Sequence, residues 1–548
     1  MAVIRTLCGG CSVGCGIRAV TRDDGPVDIE GDRTHPANAG LLCLKGELLA
    51  QGRSDELRLA QPLVDGRATS WDRAIAKAAR RIGETIARYG PQSVAMHLSG
   101  DLVTEDYYVA NKLMKGFVGS AHVAVEGGDD GVAAVLAQAF GADVVPPARE
   151  DIDQADLILL VDAGTASHHP VLHRRVARAR DEHGARMVAI ATEGSGRYLE
   201  HDLRVGCRPG SEPRLFAGLL HAVQAAGGID RDFVEAHVAA PEGYWERLAP
   251  GNDIWSVARD CGVEPLAVRR LVEMVVGSRR MMTLFRPPED AQEARALTAA
   301  IVNLHLATGQ IGRPGAGPMP LARGTNGMGA REVGCQADVL TAHAGFADEA
   351  ARSRLARFWA ARRLATGPGL SGEALQEAMR DGRIRLVWKI GEGALPDNFL
   401  EEAIGRVPQV IRSTPIAPQD GARGIWLPAA QIEEKDGGMT AADRLISRQR
   451  RLFAPPGMAR PDWWIVARVA NALGWGDAFA YDRAADVYRE HARLTAYGND
   501  GTQPLDLRQW APLSNPGYDE MTPWRWGGTP FADGRFAWGD GRARLVEG

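Results

Sequence analysis

The chain has 548 residues, of which 45% are hydrophobic and 24% charged, with a formal net charge of −5. These are ordinary globular values for a chain of several domains, and they exclude a disordered or fibrous protein. With no long basic block and no apolar run of about eighteen residues, neither nucleic acid nor a membrane is an expected partner.

The first six residues carry neither the apolar core of a secretory signal nor a twin-arginine pair, so a cytoplasmic location is expected. Seven cysteines in so long a chain do not make a disulfide scaffold, and four of them fall within the first 43 residues. That clustering predicts a metal site in a reducing compartment. Cys8, Cys11, Cys15 and Cys43 are spaced C-x2-C-x3-C-x27-C. Four soft thiolates complete a [4Fe–4S] cube, and Gly9, Gly10, Gly14 and Gly16 let the backbone turn tightly around it. The rival is a four-cysteine zinc site, which usually comes as two matched C-x2-4-C pairs. Cys207, Cys261 and Cys335 stand alone and are read as small buried hydrophobes.

Further along, Ile75, Ala79, Ile82 and Ile86 have helical spacing, and Val94, Met96 and Leu98 alternate as in a strand. Gly127-Gly128-Asp129-Asp130-Gly131 has the composition of an acidic turn. Residues 156–161 are apolar after Asp156, as in a strand buried on both faces of a parallel sheet, residues 186–191 follow as another strand, and residues 386–390 precede a further glycine-bearing turn. Glycine-bearing turns follow each: Ala163-Gly164-Thr165, Glu193-Gly194-Ser195-Gly196 and Gly391-Glu392-Gly393. Strand and helix alternating at this rhythm predict doubly wound α/β domains, whose ligands sit beyond the carboxyl ends of the strands.

The cysteine spacing, with Leu44-Lys45-Gly46 directly after the last cysteine, resembles the opening of the molybdopterin oxidoreductases. The segment from Thr104 to Phe117, Gly309 to Pro318, Asn326 to Gly334, Glu434 to Gly437 and Arg460 to Trp464 resemble the assimilatory nitrate reductases in particular. The resemblance implies an α/β fold: a small N-terminal iron–sulfur domain followed by two doubly wound α/β domains, one inserted in the other. The implied bounds are 1–60 for the cluster domain, 61–145 with 320–480 for the discontinuous cofactor domain, and 146–319 for the insert. Residues 481–548 are read as a C-terminal extension, with the family's final β-barrel domain absent.

The resemblance also implies a [4Fe–4S] cluster on Cys8, Cys11, Cys15 and Cys43, and a molybdopterin guanine dinucleotide with molybdenum. Lys45 takes an electron-relay or cofactor-contact role between them. His169, Gly210, Ser211, Glu212, Lys435 and Asp462 fall where relatives touch the pterin or its nucleotide. Blander readings stand beside these: a helix start ahead of Pro170 for His168 and His169, and a solvated turn for Lys435. Where relatives bind metal with a cysteine this chain has none, and ungapped counting puts Asp130 at that position, as a hard-oxygen ligand or as part of a plain turn.

Other departures lie at Thr192–Gly196, at Leu284–Asp290 in place of a Gly-x-Asn-Gln segment, and at Gly391–Ala394 in place of Gly-Thr-Asn-Pro. The implied partners are an electron-donor protein, a small anion such as nitrate, and a chain supplying the missing domain. The implied activity is molybdenum-dependent nitrate reduction in nitrate assimilation. The departures suggest two alternatives, a non-catalytic electron-transfer or assembly subunit and, more weakly, formate oxidation.

Overall fold

The computed structural model describes residues 2–21, 27–51, 56–128, 130–162, 164–191, 200–341, 344–392, 398–419, 423–501 and 503–547, with backbone alone at 2, 21, 130 and 344. The expected turns at Thr192–Gly196 and Gly393–Ala394, and Ala163, lie outside the described residues. No described helix is long and apolar enough to cross a membrane.

An antiparallel sheet opens the chain, with strands Ala2–Leu7, Gly16–Thr21 and Asp28–Gly31 in sequence order. Leu7 pairs with Gly16, so residues 8–15 form the loop of a hairpin.

Two larger sheets follow. The first has seven strands, ordered Arg67–Ala68, Leu63–Val64, Ile425–Pro428, Gln409–Thr414, Leu386–Ile390, Val94–Leu98 and Val123–Val125. It is parallel except at the two short strands of one edge. The second is wholly parallel, ordered Leu203–Gly206, Arg186–Ala191, Leu157–Val161, Met281–Phe285 and Gly317–Pro320. Every strand of this second sheet falls in sequence between Val125 and Leu386, so one α/β unit is nested within the other. All five residues of Leu157–Val161 are buried, as are all of Met281–Phe285, because helices cover both faces. The helix Trp71–Tyr89 buries Ala74, Ile75, Ala78 and Ile82 along one face, and the Ser70 hydroxyl caps it by accepting the Arg73 N–H at 3.4 Å.

The motif from Thr104 to Phe117 serves packing. Thr104–Asn111 is a helix that runs on into a wider-turned stretch, Lys112–Val118, and every residue of both is buried. Lys115 Nζ donates to the carbonyls of Gly334, Gln336 and Val339, each at 2.6 Å, and Lys112 Nζ donates to Glu490 at 2.6 Å.

Residues beyond 480 are no loose extension. Trp524–Arg525 adds a strand beside Leu445–Gln449, and Ala543–Arg544 pairs with Val238–Ala239 of the inserted unit. Asn303 exchanges two hydrogen bonds with the Val546 backbone, at 2.8 and 2.9 Å.

Candidate metal centre

The hairpin register brings the first three cysteines together. The Cys8 N–H donates to the Cys15 carbonyl at 2.9 Å, and Gly14, at φ +63°, turns the loop back so that its N–H reaches the Cys11 carbonyl at 3.3 Å. The fourth cysteine is brought in by Asn38, which the sequence reading missed. Its side chain accepts the Gly16 N–H at 2.8 Å and donates to the carbonyls of Gly16 at 3.0 Å and Leu41 at 2.8 Å. Cys43 then sits directly ahead of the short helix Leu44–Glu47.

All four cysteines line one partly open pocket, together with Lys45, Pro170 and Val171. Among the described residues no three His, Cys, Asp or Glu side chains converge closely enough for a single ion, whereas this cavity presents four thiols around a common space. That suits the corners of a cluster. Burial, with repulsion from Cys11 and Cys43, pushes the Cys8 thiol up to about 12, and burial raises Cys11 and Cys15 as well. Bound iron removes that penalty, since coordination deprotonates a thiol outright.

Behind the loop stands a second feature the sequence reading missed. Arg149 Nη1 donates to the Val13 carbonyl at 2.7 Å, while its Nε and Nη2 form a two-pronged pair with Asp443. Asp443 also accepts from Arg525 at 2.7 Å. Both members of the pair are buried. Burial alone would raise the Asp443 carboxyl, but Arg149 and then Arg525 hold it far below the usual carboxylate range.

Lys45 is exposed and lies across the cavity mouth, with Nζ donating to the Gly10 carbonyl at 3.3 Å. A Cβ on Gly10 would come within 3.1 Å of Lys45 Cβ, so that glycine makes room for the lysine stem. His169, after the strand Leu157–Val161, is 5% exposed and touches the cysteine loop: its Nε2 lies 3.2 Å from Ser12 Oγ. Its Nδ1 is buried without a hydrogen-bond partner. Burial, then the charges of His168, Lys45 and Arg286, pushes this ring down to about 4, so it is neutral near pH 7.

Gly210, Ser211 and Glu212 follow the strand Leu203–Gly206 on the same carboxyl edge. Gly210 has φ +78° and open space where a Cβ would be, the Ser211 hydroxyl donates to the Arg208 carbonyl at 2.6 Å, and Glu212 begins the helix Glu212–Ala225. Burial raises the Glu212 carboxyl, and a hydrogen bond shared with Asp162 adds to it.

Lys435 is not in a solvated turn. It is 2% exposed, and its Nζ donates to Asp106 at 2.8 Å and to Asp462 at 2.6 Å. Asp462 Oδ1 is likewise buried without a hydrogen-bond partner, and burial pushes that carboxyl up to about 6 against the pull of Lys435. Asp130 starts the helix Asp130–Phe140 and so is not part of a free turn; its side chain lies outside the described residues. The isolated Cys207, Cys261 and Cys335 are buried. A second pocket is lined by Asp143, Met328, Arg331, Glu332 and Trp526.

The donor set fits the groups the resemblance implies. Four thiols face one space, and the buried polar atoms without a hydrogen-bond partner include His169 Nδ1 and Asp462 Oδ1.

The family model for the molybdopterin oxidoreductase Fe4S4 domain matches residues 1–52, and that for molybdopterin oxidoreductase matches residues 58–472. A nitrate reductase of Klebsiella oxytoca is 41% identical across the whole of this chain, which spans 64% of that relative. A nitrate reductase of Shewanella frigidimarina is 33% identical, again over the whole chain, which spans 61% of it. The chain thus spans less than two thirds of the length of these two relatives. Among solved structures, the acetylene hydratase of Pelobacter acetylenicus shares the fold, with a TM-score of 0.75 at 15% identity over 99% of this chain and 77% of that one. Nothing in these matches favours the non-catalytic alternative. The matched domains are those of a [4Fe–4S] cluster and a molybdenum–pterin cofactor, and the chain belongs to the molybdopterin oxidoreductase family.

Proposed function

We propose that the chain is the nitrate-reducing unit of a molybdenum enzyme, using electrons from a donor protein to convert nitrate to nitrite. The 41% identity to the Klebsiella nitrate reductase over the whole chain supports this reading above all. On this proposal the protein works in the cytoplasm, in nitrate assimilation, with a further chain or segment completing the enclosure of the pterin.

When bound, the molybdenum–pterin group supplies oxygen-atom transfer, chemistry that belongs to the cofactor itself. The chain's own residues have simpler tasks. Cys8, Cys11, Cys15 and Cys43 hold the iron. Lys45 keeps an ammonium at the mouth of the cysteine cavity, where it offsets thiolate charge and marks the electron path toward the pterin. His169, neutral near pH 7, offers its unpartnered Nδ1, and Asp462 its unpartnered Oδ1, to the pterin or its nucleotide. Lys435 holds Asp462 in place, and Gly210, Ser211 and Glu212 lie at a strand end open to the nucleotide. Asp130 offers a hard carboxylate to the metal.

The test is metal analysis and turnover of the anaerobically purified chain. About four irons, with molybdenum and pterin present and viologen-linked nitrate reduction lost in Asp130→Ala, is the expected result. Iron without molybdenum, tungsten or pterin refutes it, and turnover of formate in place of nitrate reassigns the substrate.

A further inference from the structure

The cysteine pocket opens among exposed leucines. Cys8 and Cys15 are buried but Cys43 is only half-buried, so the cluster site comes nearest to solvent there. Around Cys43 in the chain stand Leu41, Leu44 and Leu48, all exposed, Leu44 to 66%. Leu44 and Leu48 lie one turn apart on one face of the short helix, the Leu48 N–H donating to the Leu44 carbonyl at 3.0 Å. Leu42 and Gly46 turn the other way and line the pocket. Single exposed apolar residues are ordinary, but three within eight positions around a redox centre mark a contact surface.

Basic groups flank this patch. Arg174, a turn beyond the pocket-lining Pro170 and Val171 on the helix Pro170–His183, donates from Nη1 to the Leu42 carbonyl at 3.2 Å. The Arg33 stem packs on the corner just ahead of Leu41: a Cβ on Gly40, at φ +87°, would stand 2.9 Å from Arg33 Cγ. Both arginines are exposed, and among the described residues neither has a carboxylate within ion-pair distance. Neighbours on the same helix differ, since Arg175 and Arg178 pair with Asp153. Within residues 41–48 Lys45 adds a third positive charge and Glu47 the one negative. The chain as a whole carries −5, so this face runs against the sign of the molecule. An apolar centre with a basic rim suits a small acidic protein. Opposite charge steers the encounter, and a contact below about 1,200 Å² stays weak enough to part after each transfer.

We infer that Leu41, Leu44 and Leu48, rimmed by Arg33 and Arg174, are the docking surface for an acidic one-electron carrier protein that reduces the cluster. Each encounter moves one electron from the reduced carrier to the oxidised cluster. Two encounters, with two protons, supply the reduction of one nitrate to nitrite and water. This rests on the oxidoreductase reading above, but its test needs neither molybdenum nor nitrate.

The full chain is purified anaerobically with its cluster, and reduction is followed by stopped flow at the cluster's visible absorption. The donor is a reduced plant-type [2Fe–2S] ferredoxin, an acidic carrier. Photoreduced deazaflavin, small and neutral, is the reference donor that needs no docking. The second-order rate with ferredoxin is expected to fall roughly tenfold in Arg33→Glu and in Arg174→Glu. In the parent it should fall as salt rises from about 0.01 to about 0.15 M and the screening length shrinks from about 30 to about 8 Å. Leu44→Glu should lose a similar factor, because it sets a charge of the carrier's own sign at the apolar centre. Arg269→Glu, exposed on the helix Pro265–Val276, should match the parent, and deazaflavin should reduce every protein alike. No measurable reduction of the parent by ferredoxin, or parent-like rates in the three patch variants, overturns the inference. A parent dimer in sedimentation that Leu44→Glu dissolves while its ferredoxin rate holds assigns the surface to a second copy and overturns it too. The expected pattern in a chain that turns over no nitrate fails the functional reading and still supports the docking surface.

Discussion

Arg149→Ala should loosen the cysteine hairpin without touching a cysteine. The arginine spans two bodies, with its two-pronged pair to Asp443 on one side and its bond to the Val13 carbonyl on the other. Removing one partner of a buried ion pair costs about 3–5 kcal/mol. Asp443 keeps Arg525 at 2.7 Å, which puts the loss near the lower end, about 3 kcal/mol. Borne by local opening of the loop, that raises the open population on the order of a hundredfold. The assay is bleaching of the cluster's visible absorption by an iron chelator, anaerobically and without denaturant. The rate should rise by the same factor in Arg149→Ala and also rise in Asp443→Asn. The pH dependence follows from the depressed Asp443 carboxyl: its contribution is complete above the ordinary aspartate range and is lost only as pH falls toward the depressed value. The fastening should therefore be constant from pH 5 to pH 9. Bleaching of Arg149→Ala within threefold of the parent refutes the reasoning.

Cys11→Ser should leave the protein colourless with little bound iron; a full complement of iron in that variant removes Cys11 from the ligand set. Lys45→Ala should keep the visible spectrum and slow donor-to-nitrate turnover, and unchanged turnover ends the relay role. Burial, against hydrogen bonds from Thr440 and Trp526, raises Glu332 to about 8, so its contribution to stability is full below the ordinary carboxylate range and drains away as pH climbs toward 8. Between pH 5 and 8 the parent should lose up to about 1.4 kcal/mol per pH unit relative to Glu332→Gln, because the amide does not ionise and the Thr440 hydroxyl can rotate to accept from it. Parallel melting curves for the two proteins across that range contradict it.

The cluster was legible because its chemistry demands four thiols at short spacing, and spacing is a local property. The parallel strands were legible for a similar reason: Leu157–Val161 and Leu386–Ile390 are short apolar runs with few polar interruptions. The strand Gly317–Pro320 was not, since its sequence reads as a turn; it is tolerated because it lies at a sheet edge, where the missing proline N–H matters least. Arg149 and Asp443 are 294 residues apart, and no periodicity links two charges at that distance. Lys435 and Asp462 were placed near the cofactor by resemblance alone. Their contact with each other and with Asp106 emerges only when the segment around Thr104 folds against the helix Asp462–Ala470.

The fastening of the hairpin also has a place in time. A ribosome delivers the four cysteines first and Arg149 soon after, but Asp443 only 294 residues later. At about 5–20 residues per second, that is roughly 15–60 s during which the thiols are synthesised and the clasp that holds their loop is not. Iron delivered to the nascent chain in that interval meets an unfastened loop and is readily lost. Durable loading therefore falls to a chain synthesised past Asp443, by which point the strands of both large sheets have been made.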